Sequence, residues 1–142
     1  MTQIILDEHL DPEKMLPPIQ SWTTVQRIVD LRPVEVIKDD RVLQLLHTLK
    51  QPTFVTIDAG FWDKDLRHPG YCLIYFALRD DQQDQIPQLL RRLFRLDAFK
   101  TKAARMGKVA YVRPTHVDYW QWGDENLYTL PIPQIQHRHC SQ

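Results

Sequence analysis

Carboxylates stand where the apolar runs of this chain stop. Gln3-Ile4-Ile5-Leu6 runs into Asp7-Glu8, and Thr53-Phe54-Val55-Thr56-Ile57 runs into Asp58. Between them Asp39-Asp40 opens an amphipathic stretch, and Asp63 and Asp65 follow Asp58 closely. Short strand-like runs ending in acids fit an open α/β sheet whose strand ends share one crevice, and ligands of such sheets bind outside those carboxyl ends. Carboxylates gathered there repel each other unless a cation sits among them, and hard divalent cations prefer oxygen ligands. The chemistry this suits is phosphodiester hydrolysis, in which one or two Mg²⁺ or Mn²⁺ ions activate water and relieve phosphate charge. The same acids also have ordinary uses: Asp39 or Asp40 caps a helix, Asp58 starts a turn, and Asp63 and Asp65 are solvated.

The elements that must position these acids follow from periodicity. Ile4 to Leu6 reads as a short buried strand. Asp11-Pro12-Glu13 reads as a helix start, with Asp11 as N-cap, and Pro17-Pro18 is expected to stop that helix early. Thr23 to Val29 is β-branched and alternating, and Val34 to Ile37 competes with it as the second strand. Val42, Leu45, Leu46 and Leu49 recur at helical spacing until Gln51-Pro52. Thr53 to Ile57 is the clearest central strand, and Tyr71 to Leu78 forms another after the turn signal His68-Pro69-Gly70. Ile86, Leu89, Leu90, Leu93, Phe94 and Ala98 share a helical face, with Pro87 in its first turn. Lys108 to Val112 and Val117 to Trp122 read as further strands. This alternation predicts a mostly parallel sheet with helices on both faces. A single domain over 1–130 and an irregular tail over 131–142 are expected.

Composition sets broad bounds. At 142 residues and 43% apolar, one domain can bury a real core. The formal net charge is zero, so any nucleic-acid argument must rest on local charge. Cys72 and Cys140 match no metal or disulfide framework, and no apolar run reaches membrane-spanning length. A cytoplasmic, membrane-free protein is the expectation.

Local charge is uneven. Between residues 91 and 108 stand Arg91, Arg92, Arg95, Lys100, Lys102, Arg105 and Lys108, against Asp97 alone. On one helix, Arg91, Arg95 and Lys102 would share a face with Arg92 beside them, a stripe suited to a phosphate backbone or simply to solvent. Tyr111, Tyr119, Trp120, Trp122 and Tyr128 crowd the C-terminal third, and Phe61-Trp62 adjoin the acids. These aromatics suit a core, a homodimer surface or a partner groove better than base stacking. His137-Arg138-His139-Cys140 has no second ligand pair at zinc-finger spacing upstream and reads as tail. The four glycines are scattered, which counts against a phosphate-binding loop.

Four segments together resemble the PIN-like superfamily. They are Ile5-Leu6-Asp7-Glu8-His9-Leu10, Asp39-Asp40-Arg41-Val42-Leu43, Val55-Thr56-Ile57-Asp58-Ala59-Gly60-Phe61 and His68-Pro69-Gly70-Tyr71-Cys72-Leu73-Ile74. They are similar to the LLDENL, TxDxDF and PGV segments of a small subfamily regarded as VapC-type ribonuclease toxins. Order and spacing agree over residues 4–97. The resemblance implies a three-layer α/β/α sandwich and Mg²⁺- or Mn²⁺-dependent RNA cleavage. It matches Asp7 to the first metal-binding aspartate, Glu8 to its acidic neighbour, and Asp39 or Asp40 to the acid opening the central helix. It matches Asp58 to the aspartate after the central strand and Thr56 to the hydroxyl beside it. The family's next acid falls at Gly60, where Asp63 or Asp65 would have to reach back, and His9 stands where the family has asparagine.

The leading expectation is therefore a PIN-like ribonuclease, the toxin of a toxin–antitoxin pair. Asp7, Asp58 and Asp39 or Asp40 would hold metal, with Asp63 as a further ligand. Glu8 would orient a bound water, and Arg91, Arg92, Arg95 and Lys102 would hold single-stranded or structured RNA. Gly60 favours the alternative, a catalytically silent PIN-like module that binds a protein or RNA. A DNA nuclease using the same acids is the third reading.

Overall fold

The computed structural model describes residues 3–31 and 39–132. Its core is one seven-stranded sheet. The strands are β1 (Gln3–Leu6), β2 (Thr24–Arg27), β3 (Thr53–Thr56), β4 (Cys72–Phe76), β5 (Lys108–Val112), β6 (His116–Gln121) and β7 (Leu127–Pro131), in spatial order β2-β1-β3-β4-β5-β6-β7. The first five run parallel, and β6 and β7 add antiparallel at one edge. From β1 the chain moves outward to β2, returns across β1 to β3, then proceeds the other way through β4 and β5. The boundary between β1 and β3 is thus a topological switch point.

Alternation along the strands divides the core between two faces. Ile4, Leu6, Val55, Ile74 and Val112 pack in one cluster with Met15 and Ile19 of α1 (Pro12–Gln20) and with Leu89, Leu90 and Leu93 of α4 (Ile86–Leu93). Ile5, Phe54, Leu73 and Val109 pack on the other side with Ile28, at the start of α2 (Ile28–Leu31), and with Val42, Leu45 and Leu46 of α3 (Asp39–His47). Each fully buried side chain of this kind stabilises the fold by roughly 1.5–3 kcal/mol. Both faces of the sheet therefore carry helices.

Asp11 caps α1 as its sequence predicts, accepting from Glu13 N at 2.9 Å. Pro17 and Pro18 do not stop it: the helix continues to Gln20, because burial of Met15 and Ile19 outweighs the lost backbone donors. The second strand is Thr24–Arg27, within the Thr23–Val29 stretch; the competing Val34–Ile37 segment lies outside the described residues. The helix over Ile86 ends at Leu93, and Lys102 begins a separate short helix, α5 (Lys102–Arg105). The single cationic helix face drawn through Arg91, Arg95 and Lys102 therefore does not exist. The expected tail boundary also moves: Leu130 and Pro131 belong to β7, and Ile132 is buried with its N–H on Thr115 O. The β7 strand was hidden because its residues are mostly exposed and carry no buried alternation.

The β3–β4 crossover holds no α-helix. It is a strap of two 3-10 turns, Ala59–Phe61 and Lys64–Leu66, laid over β4, β5 and β6. Phe61 plugs the second core, and Trp62 packs against Tyr111 and Trp120. Lys64 and Arg67 then bind Glu125 in the β6–β7 turn, and Arg67 Nη1 donates to Asp124 O.

Candidate metal centre

The switch point carries the first acids. Asp7 follows β1 directly, and its N–H still bonds Val55 O of β3 at 3.0 Å, which fixes it against the neighbouring strand. Asp7 Oδ2 accepts from Thr56 Oγ1 at 2.5 Å, and Asp7 Oδ1 accepts from Glu8 N at 2.7 Å. The Thr56 hydroxyl in turn accepts from Asp58 N at 2.9 Å. One hydroxyl thus ties the ends of β1 and β3 together. Asp58 caps the first 3-10 turn, its Oδ1 accepting from Gly60 N at 2.8 Å.

Burial pushes the Asp7 carboxyl above its ordinary value. The Thr56 hydrogen bond, His9 and the Glu8 N–H pull it down, and the Asp58 carboxylate adds to the upward push. Asp7 is 5% exposed, whereas Glu8 and His9 are exposed. Ligand atoms of Asp7, Glu8 and His9 lie within 4.8 Å of one another. The turn that carries them is clamped: Leu10 N bonds Asp7 O, Gln83 Nε2 donates to His9 O, and Gln83 Oε1 accepts from Asp11 N. Each Asp7 oxygen accepts one bond from a protein group named above and has a second lone pair that a cation can use. Two carboxylates and an imidazole form a donor set that fits a divalent ion.

The other predicted site residues fall in different places. Asp39 and Asp40 open α3, which feeds the start of β3 and so begins toward the same sheet edge as Asp7; their side chains lie outside the described residues. Asp63 is exposed and caps the second 3-10 turn, accepting from Asp65 N at 2.9 Å. The strap carries both residues away across the sheet, and the structure does not bring them to Asp7. The His137–Cys140 tail lies outside the described residues.

The cationic segment is divided. Arg105 is buried, donating to Phe99 O and Thr53 Oγ1, and Lys108 is buried on Ala104 O and Gln121 Oε1. These two hold the lower end of the sheet together. Arg91, Arg92 and Arg95 instead line a groove between α4 and the end of α1, and Lys102 stands apart on α5. Because α4 runs antiparallel to the strands, its arginines lie toward the sheet edge opposite Asp7 and Asp58. A helix of 8 residues separates the two ends by roughly 12 Å.

Two residues near the acids escaped the sequence reading. Gln83 sits in a polar turn that looks solvent-facing but is 5% exposed. Tyr75 lies inside an apolar run, yet it pairs in register with Thr56 and Tyr111. Burial first, then Tyr111 and Asp58, push its phenol up, so it stays a hydrogen-bond donor at neutral pH. Among the aromatics, Trp62, Tyr111 and Trp120 are spent largely on one another, while Trp122 remains 54% exposed. Compared with protein-family models, with curated proteins and with solved structures, the chain finds no match.

Proposed function

We propose that this chain is a metal-dependent ribonuclease whose sheet is a three-layer sandwich of the PIN-like kind, acting as the toxin of a toxin–antitoxin pair. The observation that carries the reading is the Asp7–Thr56–Asp58 linkage at the switch point, with Glu8 and His9 beside it. Asp7, Glu8 and His9 would hold the ion, with Asp58 facing it. A bound Mg²⁺ or Mn²⁺ supplies charge neutralisation at the phosphate and lowers the pKa of water. The imidazole of His9 in that set favours Mn²⁺ over Mg²⁺. Thr56 holds the Asp7 carboxylate in orientation, and Tyr75 offers a phenolic donor to a phosphate oxygen beside Asp58.

The experiment is cleavage of mixed-sequence single-stranded RNA with Mn²⁺, Mg²⁺ or EDTA. Cleavage should require metal, and Asp7→Asn and Asp58→Asn should each lower it at least about 100-fold, or ~2.7 kcal/mol in barrier. Both variants cleaving as well as the natural chain would end this mechanism.

A specific observation favours a second reading. Gly60 stands where the family's next acid would be, and its N–H is consumed in capping Asp58. A catalytically silent module that binds RNA or a protein would keep this fold and show no metal-dependent cleavage.

A further inference from the structure

The groove between α1 and α4 has a volume of about 590 Å³ and is lined by Pro18, Ser21, Trp22, Asp84, Pro87, Gln88, Arg91, Arg92 and Arg95. We propose that it is a second RNA-binding site, which holds a single strand leading away from the acid centre. The inference rests on the ribonuclease reading above and gives the strand its path.

Four observations support it. First, the three arginines line one hollow in which Asp84 is the only acid among the described residues, next in chain to Gln83. Second, Arg92 Nε is buried and has no hydrogen-bond partner among the described residues, although Arg92 Nη2 is placed by Gln88 Oε1 at 3.0 Å. Buried charged donors are ordinarily paired with protein, water or a ligand. Third, Trp22 forms part of the wall, half-buried, with its ring edge-on to Phe94 at 5.7 Å and Arg91 over it at 5.9 Å. Cations along a groove with an aromatic ring in its wall are what unpaired nucleic acid binds: phosphates on the arginines, a base on the ring.

The fourth observation is continuity. Asp84 follows Gln83, whose side chain grips the backbone of His9 and Asp11 beside the acid centre. From Asp84 the groove follows α4 to Arg95. A strand leaving the acids past Gln83 would meet these arginines next. A carboxylate-rich protein segment could also satisfy arginines, but the groove pairs its charge with an aromatic ring, which favours a base-bearing polyanion.

The test uses a fluorescein-labelled single-stranded RNA of roughly 16 nucleotides, bound to the full chain in EDTA so that nothing is cut. Arg91→Gln/Arg95→Gln should weaken binding about tenfold and reduce the slope of log affinity against log salt by about 1.4, two phosphate contacts' worth. Both residues are exposed, so the variant keeps its fold. Trp22→Leu should weaken binding without changing that slope. Lys50→Gln/Lys64→Gln, the same charge loss off the groove, should bind like the natural chain. Equal loss in the two paired variants would overturn the inference. Unchanged RNA binding by the groove variant alongside intact Mn²⁺-dependent cleavage would overturn it and leave the ribonuclease reading standing. Unchanged RNA binding with lost binding of a poly-glutamate peptide would give the groove to an acidic protein segment. A natural chain that binds no RNA would overturn both.

Discussion

Asp7 is the residue on which the site depends, and its burial makes a measurable demand. A carboxyl whose folded pKa is raised keeps its proton longer in the folded chain than in the unfolded one. Its contribution to metal-free stability then falls as pH rises from the unfolded value, about 3.9, through the higher folded value, and levels off above it. Asp7→Asn removes that contribution, so by chemical denaturation in EDTA the stability of the natural chain relative to the variant should fall with rising pH across this range; a constant difference would show that Asp7 is not strained by burial. Asp7 was legible in the sequence because an acid directly after Ile4-Ile5-Leu6 must sit at a strand end. Gln83 was not, since nothing local to Gln82-Gln83-Asp84 shows that one side chain reaches back 74 residues to His9.

At the scale of elements, the parallel strands were readable from their apolar runs, and Lys108–Val112 lies where the pattern put it. The breaks between elements were less so. Pro17-Pro18 looked like a stop because local propensity cannot count the burial of Met15 and Ile19. The cationic segment looked like one helix face because Arg91, Arg95 and Lys102 fall at helical spacing, whereas the helix ends at Leu93 and another begins at Lys102; Arg105 and Lys108, which resemble surface cations in sequence, are bonded inside the fold. The join of the antiparallel extension to β5 uses a glycine. Gly107 has φ +86°, accepts from Trp122 N at 2.7 Å, and has Gln121 Nε2 2.6 Å from where a Cβ would stand. Gly107→Ala should destabilise the chain by about 2 kcal/mol in urea denaturation. A variant within about 0.5 kcal/mol of the natural chain would mean that β6 does not hold this register.

Across the whole molecule, neutral net charge hides a local division: Asp7, Glu8 and Asp58 stand at one end of the parallel strands, and a cationic groove leads toward the other. That layout was invisible to composition, because only the antiparallel run of α4 against the strands decides where its arginines stand. The acid end of the sheet should hold a divalent ion, and thermal unfolding with increasing Mn²⁺ at neutral pH reads this out. Stabilisation should reach about 2.7 kcal/mol at a hundredfold excess over the dissociation constant, and be absent in Asp7→Asn. Equal stabilisation of the two chains, or no response to Mn²⁺ in either, would contradict it.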